Sequence, residues 1–491
     1  MAEQLVPSRC RSHVARQGAL LVGGYAAAQA FALLRNALLA YMLTKGDFGM
    51  AAVLTMTLQV IEMLTDPAIE RMIAQAEDGD SPVLLGASHV LTIARGLIIA
   101  LAILLVAPFA GHLFGVEGLE TAIRWLAAVS LVKAFMHLDC RRQQRRLDNR
   151  SSVLVELVPQ ALAAAAAYPV VLATGDYTAV LWINAILAVA MIVTSHLLAT
   201  ERYRLAFDRA MLVRLLRFGW PIIVCAVPLL AVFHGDRLIV ARYMGIESLA
   251  AYTAVFLATM VPGTLATRAG TSLMLPLIAE ARASTRVQAA RFRLMNEIAV
   301  VAAAIYVAGF AIAGGLVVWL GFGDKYLGNG ALAAALAVMW AVRIIQVPPT
   351  VLLLAAGETR TLLVAGFVRA GAILLVLAAA EAGADMAVLA LCGALGEVVA
   401  MIPALRRIGA IHKGQVAPML RRVAGFPLAL AALLPLWNFS ERVGVGAAET
   451  FAVLFAVVPA VALAGILAMP ALREEALSMI AGVRRPAIGP A

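Results

Sequence analysis

Between Arg217 and Phe256 the sequence reads RFGWPIIVCAVPLLAVFHGDRLIVARYMGIESLAAYTAVF, an apolar stretch with a charged pair, Asp236 and Arg237, deep inside it and a tight turn soon after. It predicts two membrane-spanning helices joined by that turn. Charges so far into hydrocarbon are costly unless they face protein or a water-filled cavity, which makes the pair a functional-site candidate. Apolar runs long enough to cross a ~30 Å hydrocarbon core recur along the chain. Of 491 residues, 63% are hydrophobic and 14% charged, with a mean hydropathy of +0.92, far from soluble globular proteins. The runs lack the period-2 alternation of a barrel, so the expected fold is an all-α polytopic membrane protein.

Fourteen helices are predicted, at 17–43, 47–75, 83–110, 118–139, 152–173, 178–200, 216–242, 247–278, 294–320, 331–356, 360–381, 385–408, 424–440 and 448–471. Lys and Arg fall on alternate sides of this arrangement: 27 in the N-terminus, the loops after even-numbered helices and the C-terminus, four in the remaining loops (Lys45, Arg242, Lys325, Arg442). By the positive-inside rule both termini are cytoplasmic. The net charge of +10 is therefore a topology signal, with attraction to anionic lipid as a by-product, and does not point to nucleic acid. Arg9, Arg11 and Arg16 precede an apolar run of more than twenty residues with no cleavage pattern, so the first helix is expected to be retained. Trp125, Trp182, Trp220, Trp319 and Trp437 lie near predicted helix ends, as in an aromatic belt. Cys10, Cys140, Cys225 and Cys392 stand singly, with no C-x-x-C spacing, so no disulfide framework, metal site or cofactor is expected.

The remaining eight basic residues all fall inside spans: Arg35, Arg95, Arg124, Lys133, Arg237, Arg268, Arg343 and Arg369. Arg124, Lys133 and Arg237 are within two turns of a helix end and can snorkel. Arg95 and Arg343 are about 18 Å deep at helical rise, too far for that, and Arg35 and Arg268 nearly so. Their bland reading is interhelical salt bridging, with Glu62, Asp66, Asp236 and Glu397 as acidic partners. Eight cations against four deep acids leave a positive excess, which fits a hydrated cavity for an anionic ligand. Gly24, Ala28 and Arg35 share one face of the first helix, either as a cavity wall or as a close-packing lane. Glu62, Asp66 and Glu70 form a stripe at i, i+4, i+8; Glu70 reads as solvated, whereas Glu62 and Asp66 either pair with an arginine or bind a coupling cation.

Prolines interrupt the spans at Pro67, Pro221, Pro228, Pro262, Pro348 and Pro349, and mark binding points, hinges or ordinary kinks. A weak internal repeat is visible: LLAYMLTKGDFGMAAV (38–53) lies over VARYMGIESLAAYTAV (240–255), and at an offset of 201 residues Arg35 falls on Asp236. Six helices per unit give parallel repeats, a recurrent transporter plan with a midplane site. The expected domains are six-helix lobes at 1–205 and 206–410, then a further helix pair and tail at 411–491. Arg35 and Asp236, of opposite charge, are candidates for an outer-side latch between the lobes, and Arg237 for a gating role beside them.

These residues resemble the Wzx-type polysaccharide flippase family, of the superfamily that also contains multidrug and toxin extruders and lipid II flippases. Arg35, LLAYMLTKGDFGMAAV and the MIAQ at 72–75 are similar to the family's Arg, L-T-P-x-D-F-G and I-Q patterns, and DRLIVARYMGIESLAAYTAV (236–255) to its second-half signature. Lys45 stands where the family often has proline, and Ala250 where it often has glycine. The resemblance covers about 1–410. It implies two lobes around a cationic lumen that move an undecaprenyl-diphosphate-linked oligosaccharide across the bacterial inner membrane for O-antigen or exopolysaccharide assembly. Membrane lipids, a glycan polymerase and export machinery are the partners it suggests.

The chemistry of the residues agrees in part. Arginine suits a lipid diphosphate. No lysine is followed by Ser or Thr, so there is no Walker A, and short loops with scattered histidines leave no evident catalytic domain, which argues against an enzyme. The candidate substrate-binding residues are Arg35, Arg95, Arg268, Arg343 and Arg369, and the candidate gating or coupling residues Glu62, Asp66, Asp236, Arg237 and Glu397. The alternatives are a lipid II flippase or a multidrug extruder, the latter disfavoured by the basic excess.

Overall fold

The computed structural model describes residues 8–114, 118–146, 148–281, 284–411 and 447–480, and among them every regular element is a helix. Twelve segments are long and apolar enough to cross a membrane: 16–42, 45–64, 82–109, 150–174, 179–197, 209–244, 246–280, 285–322, 330–355, 359–381, 386–411 and 448–468. The chain is a multi-pass membrane protein. Of the other two expected spans, 118–139 forms only a 15-residue helix followed by a break, and 424–440 lies outside the described residues.

By packing, the chain falls into two compact units, 1–230 with 244–250, and 231–243 with 251–491. The first holds α1 (Ser8–Met42), α2 (Lys45–Leu64), α3 (Ile69–Gln75), α4 (Pro82–Phe114), α5 (Leu119–Lys133), α6 (Asp139–Arg145), α7 (Arg150–Thr174), α8 (Ala179–Leu197) and α9 (Arg209–Leu230). A π-helical turn, Ala231–Gly235, then leads into α10 (Asp236–Met244). The second unit continues through α11 (Ile246–Glu280), α12 (Thr285–Phe322), α13 (Gly330–Ile345), α14 (Val347–Ala355), α15 (Thr359–Ala370), α16 (Ala372–Glu381), α17 (Met386–Ile411), α18 (Ala447–Ala468) and α19 (Pro470–Ile480). Helix α9, which a division at 206 places in the second lobe, packs on α2 and α4 of the first unit.

Each unit has its own apolar core. In the first, Ile73, Leu84, Leu138, Cys140, Val155 and Leu215 cluster; in the second, Phe292, Val300, Ile345, Leu352 and Met401 do. The outward face is also apolar, because the solvent there is lipid: Leu97, Leu101, Leu104 and Leu105 form an exposed stripe on α4 at i, i+4, i+7, i+8. Trp125, Trp182, Trp220 and Trp319, the described members of the expected belt, are exposed, whereas Trp340 is buried.

Of the six prolines expected to interrupt spans, Pro67, Pro348 and Pro349 stand at helix breaks, whereas α9 runs through Pro221 and Pro228 and α11 through Pro262. Thr44 starts α2 as an N-cap, its hydroxyl oxygen accepting the Asp47 amide at 3.1 Å. The expected helix 47–75 is then cut in two, since Pro67 disfavours helical geometry at Asp66 and Ala68 takes φ 50°. The Asp66 carboxylate closes the corner by accepting the Ala68 amide at 3.0 Å. Pro348 and Pro349 stand in the first turn of α14, so the expected helix 331–356 is interrupted at Gln346. A third interruption, at Gly371, splits 360–381.

The repeat segments 38–53 and 240–255 lie 202 residues apart, not 201, and the ends of their helices at Met42 and Met244 keep that register, so Arg35 matches Arg237 and not Asp236.

Candidate functional site

In the first unit, the α2–α3 corner, α4, α5 and α7 enclose a cavity of about 380 Å³. Arg95, halfway along α4, donates to the Glu62 carbonyl at 2.7 Å and lies 3.6 Å from the Asp66 carboxylate. Lys133 reaches the Glu62 carboxylate at 2.9 Å. Arg141 on α6 pairs with Glu70 at 2.7 Å and with Glu156 at 3.3 Å. Three cations and four carboxylates line this cavity, which leaves one carboxylate over and no positive excess. The expectation of excess counted Glu70 as solvated and did not weigh Glu156; depth along a helix does not reveal that Arg141 folds against both.

Arg35 sits outside the cavity wall and donates to Gln160, a lining residue, at 3.0 Å. Along the lane below it the two readings divide: Ala28 lines the cavity, while a side chain at Gly24 would meet Val153 of α7 at 2.2 Å, so Gly24 serves close packing. Arg124 pairs with Glu120 one turn away near the start of α5, as a snorkelling residue does.

In the second unit, three irregular helices meet. The π turn supplies Phe233, the end of α13 supplies Arg343, the break supplies Gln346, and the end of α15 supplies Arg369. All converge with Glu397 of α17, whose side chain is 2% exposed. The Arg343 Nε is 2.7 Å from Glu397 Oε1, and the Arg369 Nε 2.6 Å from Oε2. Gln346 donates to the Glu397 carbonyl at 2.7 Å and accepts from Arg369 at 2.6 Å. The Arg343 guanidinium lies 4.5 Å from the Trp340 ring centre and 5.4 Å from that of Phe233, and its Nη1 is buried without a hydrogen bond among the described residues. Gly396 makes the approach possible, since a Cβ there would fall 2.1 Å from that of Ala372. A small cavity of about 30 Å³ adjoins the cluster, and Asp236 lines it.

Asp236 and Arg237 do not pair through their side chains. Asp236 accepts the Arg237 amide at 2.8 Å and the Tyr252 hydroxyl at 2.6 Å. The Arg237 guanidinium donates to the Phe233 carbonyl, lies 3.1 Å from His234 Nδ1 and stacks 4.7 Å from the Phe256 ring centre. Arg268, exposed on α11, lines neither cavity. Interhelical ion pairing therefore holds for Arg95, Arg343 and Arg369. Sequence reasoning missed Glu156, Gln160 and Gln346; the first two, at i and i+4 on α7, carried a signal as a polar pair inside an apolar helix. Among the described residues no group of three His, Cys, Asp or Glu is placed to hold a metal ion.

Residues 38–329 match the model of a family described as polysaccharide biosynthesis protein. No curated protein sequence is detectably similar. Among solved structures, the lipid II flippase MurJ in an inward closed conformation is similar with a TM-score of 0.68 at 11% identity, over 92% of this chain and 97% of that one. An inward-facing multidrug resistance MATE family transporter of the MOP superfamily gives 0.65 at 13%, over 79% and 96%. A MOP superfamily transporter from Pyrococcus furiosus, described as having a binding pocket of reverse polarity, gives 0.54 at 15%, over 84% and 96%.

Proposed function

We propose, from the premise that this chain belongs to the polysaccharide biosynthesis protein family, that it moves a lipid-linked oligosaccharide across the membrane. The substrate is an undecaprenyl-diphosphate-linked oligosaccharide, translocated across the bacterial inner membrane by alternating access for O-antigen or exopolysaccharide assembly, with both termini of the chain cytoplasmic. The fold it shares with transporters and with a flippase supports this class of activity and gives no support to a chemical one. In the second unit Arg343 and Arg369, with Arg268, are the anion-contacting residues and Asp236, Arg237 and Glu397 adjust the charge; in the first unit Arg35 and Arg95 are the anion-contacting residues and Glu62 and Asp66 adjust the charge.

The observation that carries this reading is the convergence of Arg343 and Arg369 on one buried carboxylate inside membrane-spanning helices. Guanidinium pairs at such depth are expensive, and bidentate anion recognition is what they do best. The test is the triple variant Arg95→Gln, Arg268→Gln, Arg343→Gln, assayed for surface glycan with membrane abundance checked in parallel. Glycan should stall while the protein remains in the membrane; unchanged output from the triple variant rejects the assignment. A strain depleted of its lipid II flippase supplies the competing arm, since rescue there by the unmodified chain would identify lipid II as the cargo.

A further inference from the structure

We propose that Glu397 is an internal counter-anion, seated where the substrate's diphosphate binds, and that anion entry displaces it from Arg343 and Arg369. The inference rests on the flippase reading above and adds how that site is kept occupied between substrates.

The geometry is that of an anion site already filled. The Arg343 Nε donates a charge-assisted hydrogen bond to one Glu397 oxygen at 2.7 Å, and the Arg369 Nε stands 2.6 Å from the other as an ion pair, out of line for a hydrogen bond. Two guanidinium charges thus share one carboxylate. Asp236 adjoins the same small cavity, but its oxygens are engaged by the Tyr252 hydroxyl and the Arg237 amide. The Arg343 Nη1 remains a buried donor with no hydrogen bond among the described residues. A diphosphate, with more acceptor oxygens than one carboxylate, would satisfy donors that Glu397 leaves over.

Space makes the two anions alternatives. The adjoining cavity is about 30 Å³, room for about two or three water-sized spheres. A diphosphate does not fit beside Glu397, so it reaches the arginines only as the carboxylate withdraws. The backbone is interrupted where that needs it to be: Arg343 stands three residues before the Gln346 break and Arg369 two before Gly371. Both arginines can therefore turn without bending a continuous helix. Gln346, bonded to Glu397 and to Arg369, registers which anion is present.

A purely structural salt bridge predicts something different. If Glu397 only ties α13, α15 and α17 together, removing its charge lowers stability and leaves anion affinity unchanged or weaker. If it competes with the ligand, removing its charge strengthens anion binding.

The experiment uses the full chain in lipid nanodiscs, titrated by calorimetry with inorganic pyrophosphate and, separately, with a polyprenyl diphosphate incorporated in the disc. Glu397→Gln should bind both probes tenfold or more tighter than the unmodified protein. Glu397→Asp, one methylene too short to hold both guanidinia, keeps the charge and covers the case in which the glutamine variant does not fold; it should bind about threefold tighter. Tightening for the lipid probe alone identifies a lipid headgroup as the ligand, and tightening for both identifies the diphosphate itself. Equal or weaker affinity in a folded variant overturns the displacement while leaving the arginine site intact. Failure of every folded form, the unmodified one included, to bind either probe removes the anion reading and this inference with it.

Discussion

Arg35 and Arg237 occupy equivalent positions in the two halves, each seven residues before the methionine that ends its helix. Matched positions therefore carry like charges, and Asp236 has no acidic or basic counterpart on α1, where Leu34 stands. Arg35 is held by Gln160, and Asp236 by Tyr252. An Arg35–Asp236 latch rests on coincidence at an offset of 201, on similar depth and on opposite charge, and the 202-residue spacing of the segments 38–53 and 240–255 removes the coincidence. Transport by the double swap Arg35→Asp with Asp236→Arg should be no better than by the worse single variant. Recovery in the double, with all three normally expressed, would restore the latch.

By the positive-inside rule the charge split of the loops predicts cytoplasmic termini, and two fusion points test it. A reporter placed after Lys325 should read periplasmic and one after Arg150 cytoplasmic. Either reading reversed would invert the positive-inside assignment, and with it the direction of transport inferred for the chain.

The α2–α3 corner depends on a residue with no side chain. Gly219 of α9 packs so close to Pro67 that a Cβ would lie 2.4 Å from the proline Cβ and 2.6 Å from its carbonyl oxygen. Neither neighbour is a flexible side-chain end, so the clash has to move backbone. Gly219→Ala should destabilise the first unit by about 2 kcal/mol, the usual scale for overpacking. It should also displace Asp66 from Arg95. Unchanged thermal unfolding of the purified variant would show that α9 can shift at little cost.

Much of this was legible in the sequence, and the parts that were not share a physical reason. Long apolar runs announce spans because a bilayer of fixed thickness demands them. Pro67 and the Pro348-Pro349 pair announce breaks because a missing N–H costs a helix one hydrogen bond, although α9 and α11 accommodate Pro221, Pro228 and Pro262. Which charge pairs with which is another matter: Glu397 and Arg343 are 54 residues apart, and Glu70 meets Arg141 only because α6 folds back beneath α3. Depth along a helix is local information, whereas neutralisation belongs to the tertiary fold. Counting cations and acids by depth therefore overstated the positive charge of the first unit's cavity. The three histidines His89, His137 and His196, scattered in sequence, likewise gather around Tyr203 only through folding.

Next to that histidine group lies a buried carboxylate whose behaviour with pH follows from its contacts. Asp139 begins α6, outside the twelve spans, and accepts from Arg142 Nε at 2.6 Å, the Thr200 amide at 2.8 Å, Gln143 at 2.9 Å and the Thr200 hydroxyl at 3.0 Å. Its own amide donates to His137 Nδ1 at 3.1 Å, while His137 Nε2 lies 3.1 Å from the Glu201 carbonyl and His89 Nδ1 2.9 Å from that of Arg204. The carboxylate thus anchors Thr200 and Glu201, within the segment 198–204, to the start of α6. Burial alone would raise its pKa; the hydrogen bonds from Arg142, the Thr200 amide and Gln143 outweigh that and hold it well below the usual carboxylate range. A depressed value in the folded state means that the stabilisation is complete above the unfolded value of about 4 and is lost as the pH falls below it. Amide protection of 198–204, corrected for intrinsic exchange, should therefore hold from pH 7 to 5 and decline below pH 4. Asp139→Asn should weaken it at pH 7 by tenfold or more, since a hydrogen bond to a charged group contributes about 2 kcal/mol. Equal protection in the variant and the parent at pH 7 would show that the segment is held by the histidine ring contacts instead.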